Sequence, residues 1–115
     1  MKKINSILMC ITLVISILTL IDPASAATLE VGAGKTYATI NAAIAAAGNG
    51  DTILVYPGTY NENITINVPN ITLKSVGGKN ITTIGPGTGA NQNTVISIQS
   101  NLGTITVEGF TILLS

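Results

Sequence analysis

Short segments in which apolar and polar residues alternate occupy most of the chain after residue 51, and they constrain its fold more than any other feature. The clearest are Ile64-Thr65-Ile66, Ile71-Thr72-Leu73 and Ile105-Thr106-Val107. Alternation with a period of two places one side chain in the core and the next outside, as in a half-buried β-strand. The Ile, Val and Thr of these segments favour a pleated sheet, and the Gly and Asn between them favour tight turns. We therefore predict many short strands joined by tight corners.

The predicted strands recur at similar intervals along the chain. Seven strands of three to six residues are predicted, at 52–56, 63–67, 70–74, 81–84, 94–99, 104–107 and 110–114. Two series of strand residues repeat at intervals of 18 and 25 and of 18 and 23 residues, namely Ile53, Ile71 and Ile96, and Ile64, Thr82 and Ile105. The wider second interval contains the Gly- and Asn-rich stretch 85–93, which we predict to be an inserted loop.

Self-similarity at about 20 residues is typical of a solenoid. Short strands without a helix in each repeat favour a β-helix over a leucine-rich repeat. The alternative is a β-sandwich, but its strands are usually longer and its turns about 8 to 12 residues apart. We therefore predict an all-β chain that forms a parallel β-helix of about three coils.

One helix is predicted before these strands. Helical spacing is followed by the apolar residues Tyr37, Ile40, Ala43, Ile44 and Ala47. Thr36 is the predicted N-cap. The segment Gly48-Asn49-Gly50 ends the helix with residues that tolerate positive φ. Such a helix is weak alone and must lie on an apolar surface. Because an open solenoid end exposes strand edges, we predict that the helix covers the first coil.

The N-terminal segment has the features of a secretory signal peptide. Lys2 and Lys3 precede an uncharged apolar stretch over residues 7–21, and Ala24-Ser25-Ala26 supplies small residues for cleavage after Ala26. The alternative is an uncleaved membrane anchor, which needs about 20 apolar residues. Cys10 lies inside the apolar stretch rather than after it, so lipidation is not predicted. We expect a secreted, extracellular or cell-surface protein.

This gives three predicted regions, which are a signal peptide at 1–26, an N-terminal strand and capping helix at 27–50, and an incomplete parallel β-helix at 51–115. The incomplete region ends in the apolar strand 110–114, with no charged or helical cap after it. A bare strand edge pairs readily with other chains. The chain is therefore expected to be a fragment of a longer protein or to self-associate through this open C-terminal coil.

Two parts of the chain resemble a known superfamily. The first part, at 31–40, 42–44 and 50–60, resembles the N-terminal entry of the pectin-lyase-like superfamily. The second part, at 107–112, is similar to its coil repeat. The resemblance implies a right-handed, single-stranded parallel β-helix entered through a strand and a capping helix. The superfamily includes pectate lyases, pectin methylesterases, polygalacturonases, NosD-like periplasmic proteins and prokaryotic surface proteins without known activity. The resemblance therefore implies a fold rather than one function.

The residue types missing after residue 26 exclude several kinds of chemistry. No Cys, His, Met, Arg or Trp occurs there. Thiol and imidazole catalysis are excluded, and so is copper binding of the kind that a NosD-like protein suggests, because its ligands are absent. Calcium binds backbone carbonyl and Asn oxygens, but no D-x-D-x-D-G loop supports a calcium site. We predict no cofactor and no metal.

Catalysis within this chain is not predicted. Lyases of the superfamily use Asp-rich calcium sites with a basic residue, commonly Arg. Glycoside hydrolysis needs two carboxyl groups about 5 to 10 Å apart. The candidates are Asp51, Glu62 and Glu108, and nothing in the sequence brings two of them together.

The remaining motifs have structural alternatives. Gly34-Lys35-Thr36 ends like a P-loop, but Leu29 occupies the position of the first glycine, so no nucleotide is expected. The zero formal charge gives no basis for nucleic-acid binding. Three Asn-x-Thr sequons, at Asn63, Asn70 and Asn80, are sites for N-glycosylation or are asparagines that open a strand at a corner, and the corner interpretation is favoured. Three tyrosines, Tyr37, Tyr56 and Tyr60, form a platform for sugar stacking or pack against the first coil, and packing is favoured.

Two functions remain open at this point. The first is an exported structural or carbohydrate-binding module at the cell surface, whose partner would be a polysaccharide or another surface polymer. The second is an N-terminal piece of a polysaccharide lyase or hydrolase whose active site lies in further coils. A continuation rich in Asp with Arg or His would favour the enzyme.

Overall fold

The computed structural model describes residues 25–89 and 94–114. Most of the predicted signal peptide lies outside the described residues, and so do residues 90–93 of the predicted inserted loop. The described part contains one helix and nine strands. The helix is α1 (Ile40–Ala46), and the strands are β1 (Thr28–Val31), β2 (Thr52–Val55), β3 (Gly58–Asn61), β4 (Ile64–Ile66), β5 (Thr72–Ser75), β6 (Thr82–Gly85), β7 (Ile96–Ile98), β8 (Thr106–Glu108) and β9 (Thr111–Ile112).

The strands form three parallel sheets. The first has the order β1-β2-β5-β8, the second β3-β6-β9 and the third β4-β7. Each strand therefore pairs with the strand that follows it by one coil, as in Thr28, Thr52, Thr72 and Thr106, which share one register position. This is a β-solenoid of about three turns with one short helix, and it confirms the predicted fold class.

Rows of apolar side chains run along the inside of the solenoid. In the first sheet, Leu29, Ile53 and Leu73 stack at one register position and all are buried. In the second sheet, Tyr60 stacks on Ile84 in the same way. Burying a side chain of this size contributes about 1.5–3 kcal/mol. The alternation of apolar and polar residues thus supplies the core, as the sequence predicts.

The predicted alignment of the repeats is wrong. Ile53 pairs with Leu73 rather than with Ile71, and Ile96 pairs with Ile64 in the third sheet. The coils differ in length, because Thr52, Thr72 and Thr106 are 20 and 34 residues apart. A single period therefore misaligns the strands, even though inward residues such as Ile53 and Leu73 are correctly predicted to be buried.

Strand β3 is absent from the prediction. Its residues Gly58-Thr59-Tyr60-Asn61 include two poor strand formers and follow Pro57, so they read as a turn. The segment is nonetheless extended, because it pairs with β6 and turns Tyr60 inward. Pairing with the next coil here overrides the local preference.

Helix α1 lies at the N-terminal end of the solenoid. Its buried residues are Ile40, Ala43 and Ile44, and it contacts β1, β2 and β4. Its N-cap is Thr39, whose hydroxyl accepts from the amide of Ala42 at 3.2 Å, so the prediction of Thr36 is wrong. Thr39 satisfies a free helical N–H directly, whereas Thr36 lies too early to reach one. Within the described residues, no helix has the length and apolar character needed to cross a membrane.

Candidate functional site

Asp51, the first of the predicted carboxylates, holds the two ends of the N-terminal region together. Its Oδ2 accepts from the amide of Gly48 at 2.7 Å, and its Oδ1 accepts from the amide of Ala27 at 2.8 Å. The side chain is almost buried, with 9% of its surface exposed. The hydrogen bonds from Gly48 and Ala27 hold the pKa of Asp51 below its usual value. Asp51 is thus an ionised acceptor for backbone N–H groups.

Glu62, the second carboxylate, binds the start of α1. Its Oε2 accepts from the amide of Ile40 at 3.0 Å, and its Oε1 accepts from the amide of Asn41 at 2.7 Å. The first N–H groups of a helix have no partner within the helix. Glu62 supplies that partner from the corner between β3 and β4. It acts from the coil on which the helix lies, so it joins helix and solenoid.

The three predicted carboxylates lie in three places. Asp51 binds near the end of α1 and Glu62 binds at its start, so the helix length of about 10 Å separates the backbone groups that they hold. Glu108 lies on β8 and pairs with Lys74 of β5 at 3.2 Å, with both side chains about half exposed. No cluster of three or more His, Cys, Asp or Glu side chains that could hold a metal occurs in 25–89 and 94–114.

A cleft that the sequence analysis did not identify lies beside β1. It has a volume of about 410 Å³ and is lined by Thr28, Leu29, Glu30, Thr36 and Tyr37. The loop 32–37 folds back on β1 and forms one side of the cleft. Two backbone hydrogen bonds hold this loop. The amide of Tyr37 donates to the carbonyl of Glu30 at 3.1 Å, and the amide of Gly32 donates to the carbonyl of Tyr37 at 2.9 Å.

Glu30 is the centre of a polar cluster next to this cleft. The hydroxyl of Tyr56 donates to Glu30 Oε1 at 2.6 Å, and Lys35 Nζ lies 4.0 Å from Glu30 Oε2. Lys35 Nζ also lies 3.9 Å from the centre of the Tyr56 ring. A carboxylate, an ammonium and a phenol are thus held together at the cleft. An ion pair and a cation–π contact stabilise the positions of these three side chains.

The glycine-rich loop explains how this cluster forms. Gly32 has a φ of 154°, and a Cβ atom there would lie 3.0 Å from the Cβ of Tyr56. Any other residue at position 32 would therefore push the loop away from Tyr56. The sequence does contain a signal for the site, since Gly32-Ala33-Gly34 turns the chain back and carries Lys35 towards Glu30.

The three tyrosines do not form one stacking platform. Tyr60 is buried and its hydroxyl donates to the carbonyl of Tyr56 at 2.7 Å. Burial, with a smaller effect of the Glu62 charge, raises the pKa of Tyr60. One face of Tyr56 lies under Lys35, and Tyr37 lines the cleft. Of the three tyrosines, Tyr37 is therefore the one that lines the cleft.

Two of the sequon asparagines bond to the next coil. Asn63 Oδ1 accepts from the amide of Gly87 at 2.9 Å. Asn70 has a φ of 55°, and its Oδ1 accepts from the amide of Thr104 at 3.1 Å. Asn80 is exposed in a turn. The contacts of Asn63 and Asn70 agree with the corner interpretation, and N-glycosylation of any of the three stays a prediction.

Comparisons with known proteins add no relative. No protein-family model matches the chain, and neither a curated protein nor a solved structure matches it. Membership of the pectin-lyase-like superfamily therefore stays a prediction from the sequence motifs.

Proposed function

We propose that this chain is an exported β-helix module that binds a polysaccharide or another polymer of the cell surface through the cleft beside β1. The observation that carries the proposal is the mixture of groups at this cleft. Glu30 accepts hydrogen bonds, Thr28 and Thr36 both donate and accept them, and Tyr37 and Leu29 add apolar surface. Sugars offer many hydroxyl groups beside apolar C–H faces, and this combination suits them.

The rigidity of the cleft supports the proposal. Glu30 is fixed by Tyr56, and the loop that carries Thr36 and Tyr37 is fixed by backbone hydrogen bonds to β1. A site that is ordered before its ligand arrives loses less conformational entropy on binding. A shallow, preformed surface cleft is suited to one or a few units of an extended polymer.

Two features of the sequence support export. The N-terminal segment combines a basic start, an apolar stretch and small residues before Ala27. The region after residue 26 carries few charges and many Thr and Asn residues, and those that the structure describes are exposed or partly exposed, apart from the buried Thr82. A polar but weakly charged exterior suits a module that contacts neutral polymers.

Binding to an array of glycans, with and without calcium, tests this function. Tyr37→Ala and Glu30→Gln should each weaken binding about tenfold, because they remove an apolar contact and a charged acceptor from the cleft, and a loss of about 1.4 kcal/mol is tenfold in affinity. Lys74→Ala is the matched control, since Lys74 lies on β5 and pairs with Glu108 outside the cleft. Binding at background level under both conditions would contradict the carbohydrate part of the proposal. Equal loss in the Lys74 variant would show that the cleft is not the site.

A further inference from the structure

The backbone of Ala27 is held at both of its polar atoms. Its nitrogen donates to Asp51 Oδ1 at 2.8 Å, and its carbonyl oxygen accepts from the amide of Thr52 at 2.9 Å. The other oxygen of Asp51 is occupied by Gly48, which follows α1. Ala27 thus joins the start of β1 to the start of β2 and to the exit of the helix.

Asp51 lacks a cationic partner within the described residues. The ion pairs found in 25–89 and 94–114 are Lys35 with Glu30 and Lys74 with Glu108. The almost buried carboxylate is balanced by two neutral N–H donors, from Ala27 and Gly48. An ionised group with little exposure to water gains strongly from an opposite charge at hydrogen-bond distance.

The predicted cleavage would create such a charge at this position. Signal peptidase hydrolyses the bond between Ala26 and Ala27. The hydroxyl of water adds to the Ala26 carbonyl carbon, the C–N bond breaks, and the Ala27 nitrogen takes a proton. At neutral pH the new α-amino group, whose ordinary pKa is about 7.7–8.0, takes up a further proton and becomes a cation. Its nitrogen is the atom that lies 2.8 Å from Asp51 Oδ1.

We propose that cleavage after Ala26 converts the Ala27–Asp51 hydrogen bond into an ion pair between the new α-ammonium group and the carboxylate, and that this pair completes the N-terminal cap of the solenoid. The inference rests on the export in the proposed function. It goes beyond that function because it assigns Asp51 as the receptor for the mature N-terminus.

The position of the cut decides whether the pair forms. Adjacent residues are about 3.8 Å apart along the chain, so a start one residue earlier moves the ammonium group out of contact with Asp51. A start one residue later removes the Ala27 nitrogen and also the acceptor of the Thr52 amide. The structure thus favours one N-terminus among its neighbours.

The test uses the full chain, expressed in a bacterial host that exports it. The intact mass of the exported product gives its first residue, which should be Ala27. Reductive methylation of the amines at pH 8 is then followed by peptide mapping, with the exposed Lys79 as an internal reference. The α-amine of Ala27 should react about four- to fivefold more slowly than in Asp51→Asn, because an ion pair that raises its pKa by about one unit lowers the free-amine fraction at pH 8 from about 0.6 to about 0.14.

Two further variants guard against misfolding and against general effects of charge. Insertion of one alanine between Ala26 and Ala27 keeps Asp51 but moves the new amine by one residue, and it should react as fast as in Asp51→Asn. Glu108→Gln removes a carboxylate on β8 and should leave the α-amine as slow as in the parent chain.

The outcomes separate this inference from the function on which it rests. Equal reactivity in the parent chain, Asp51→Asn and the insertion variant would overturn the ion pair. Export with a first residue other than Ala27 would overturn it as well, while leaving the exported module intact. Retention of the whole chain in the membrane fraction would refute the export itself.

Discussion

Removing the Glu62 carboxylate should release α1 from the solenoid without unfolding the coils. Glu62 accepts from the amides of Ile40 and Asn41 at 3.0 and 2.7 Å. A hydrogen bond to a charged group contributes about 1.5–3 kcal/mol, and loss of a helix cap costs about 1 kcal/mol. Since Glu62 is partly exposed to water, we expect Glu62→Ala to destabilise the docked helix by about 2 kcal/mol. A helix of seven residues cannot compensate for this loss alone.

Native-state hydrogen exchange measures this effect residue by residue. The amides of Ala43 and Ala47, which bond within the helix region, should exchange about 30-fold faster in Glu62→Ala, since each 1.4 kcal/mol is tenfold. The amide of Val76, which donates to the carbonyl of Val55 in the preceding coil, should change less than twofold. Glu62→Gln keeps one acceptor oxygen, so the exchange rates of its helix amides should lie between those of the parent chain and those of Glu62→Ala.

Glu108→Ala is the control for loss of a surface carboxylate. Its ion pair with Lys74 is exposed, and such pairs contribute about 0–1 kcal/mol. It should leave the exchange of the helix amides unchanged. Equal exchange in the parent chain and in Glu62→Ala would refute the assignment of Glu62 as the anchor of the helix. Uniform acceleration across all coils would show that the helix and solenoid open together.

Three further predictions concern the cap, its carboxylate and the last coil. Ile44→Asp should lower Tm by more than about 10 °C, because an unpaired buried charge costs about 3–5 kcal/mol and each kcal/mol shifts Tm by about 4–8 °C in a domain of this size, whereas Ala45→Asp on the exposed side should leave Tm nearly unchanged. An unchanged Tm in the first variant would show that the helix is not a cap. Because its pKa is lowered in the fold, Asp51 stabilises the chain above its usual pKa and loses this effect as pH falls through the lowered value. Asp51→Asn should therefore flatten the acid side of a plot of Tm against pH, and an unaltered acid side would contradict this assignment. A polypeptide of residues 27–115 expressed on its own should self-associate, as measured by sedimentation, through β8 and β9, which are edge strands within the described residues and lie near Leu114, which is 77% exposed. A monodisperse monomer at high micromolar concentration, unfolding cooperatively, would disprove it.

The sequence predicts most of the strands, β3 excepted, and their inward faces because both depend on local alternation. Ile53 and Leu73 are recognisable as core residues without knowledge of their partners. It does not predict the register, because the register depends on corner lengths, and the corners absorb insertions. Thr72 and Thr106 are 34 residues apart although they are neighbours in one sheet.

The candidate site was harder to predict because its contacts join residues about one coil apart. Asp51 and Glu62 look like free carboxylates in the sequence, yet they bind the backbone of Ala27 and Ile40, which lie 24 and 22 residues earlier. Tyr56 and Glu30 are 26 residues apart. Once a solenoid is inferred, a polar residue about 20 to 26 positions away is a neighbour, and this rule could have found all three pairs.

This rule also explains where the acids lie. Within the coils, the polar backbone of a strand is satisfied by the strand one coil away. Within residues 25–89 and 94–114, β4 pairs with β7 on one side and with no strand on the other. On that other side, the side chain of Asn41 donates to the carbonyl of Asn63 at 2.9 Å and accepts from the amide of Thr65. Glu62 fixes the helix that carries Asn41. The charged and amide side chains of this region thus replace a missing coil, so their loss should open the N-terminal end before it affects the stacked strands behind it.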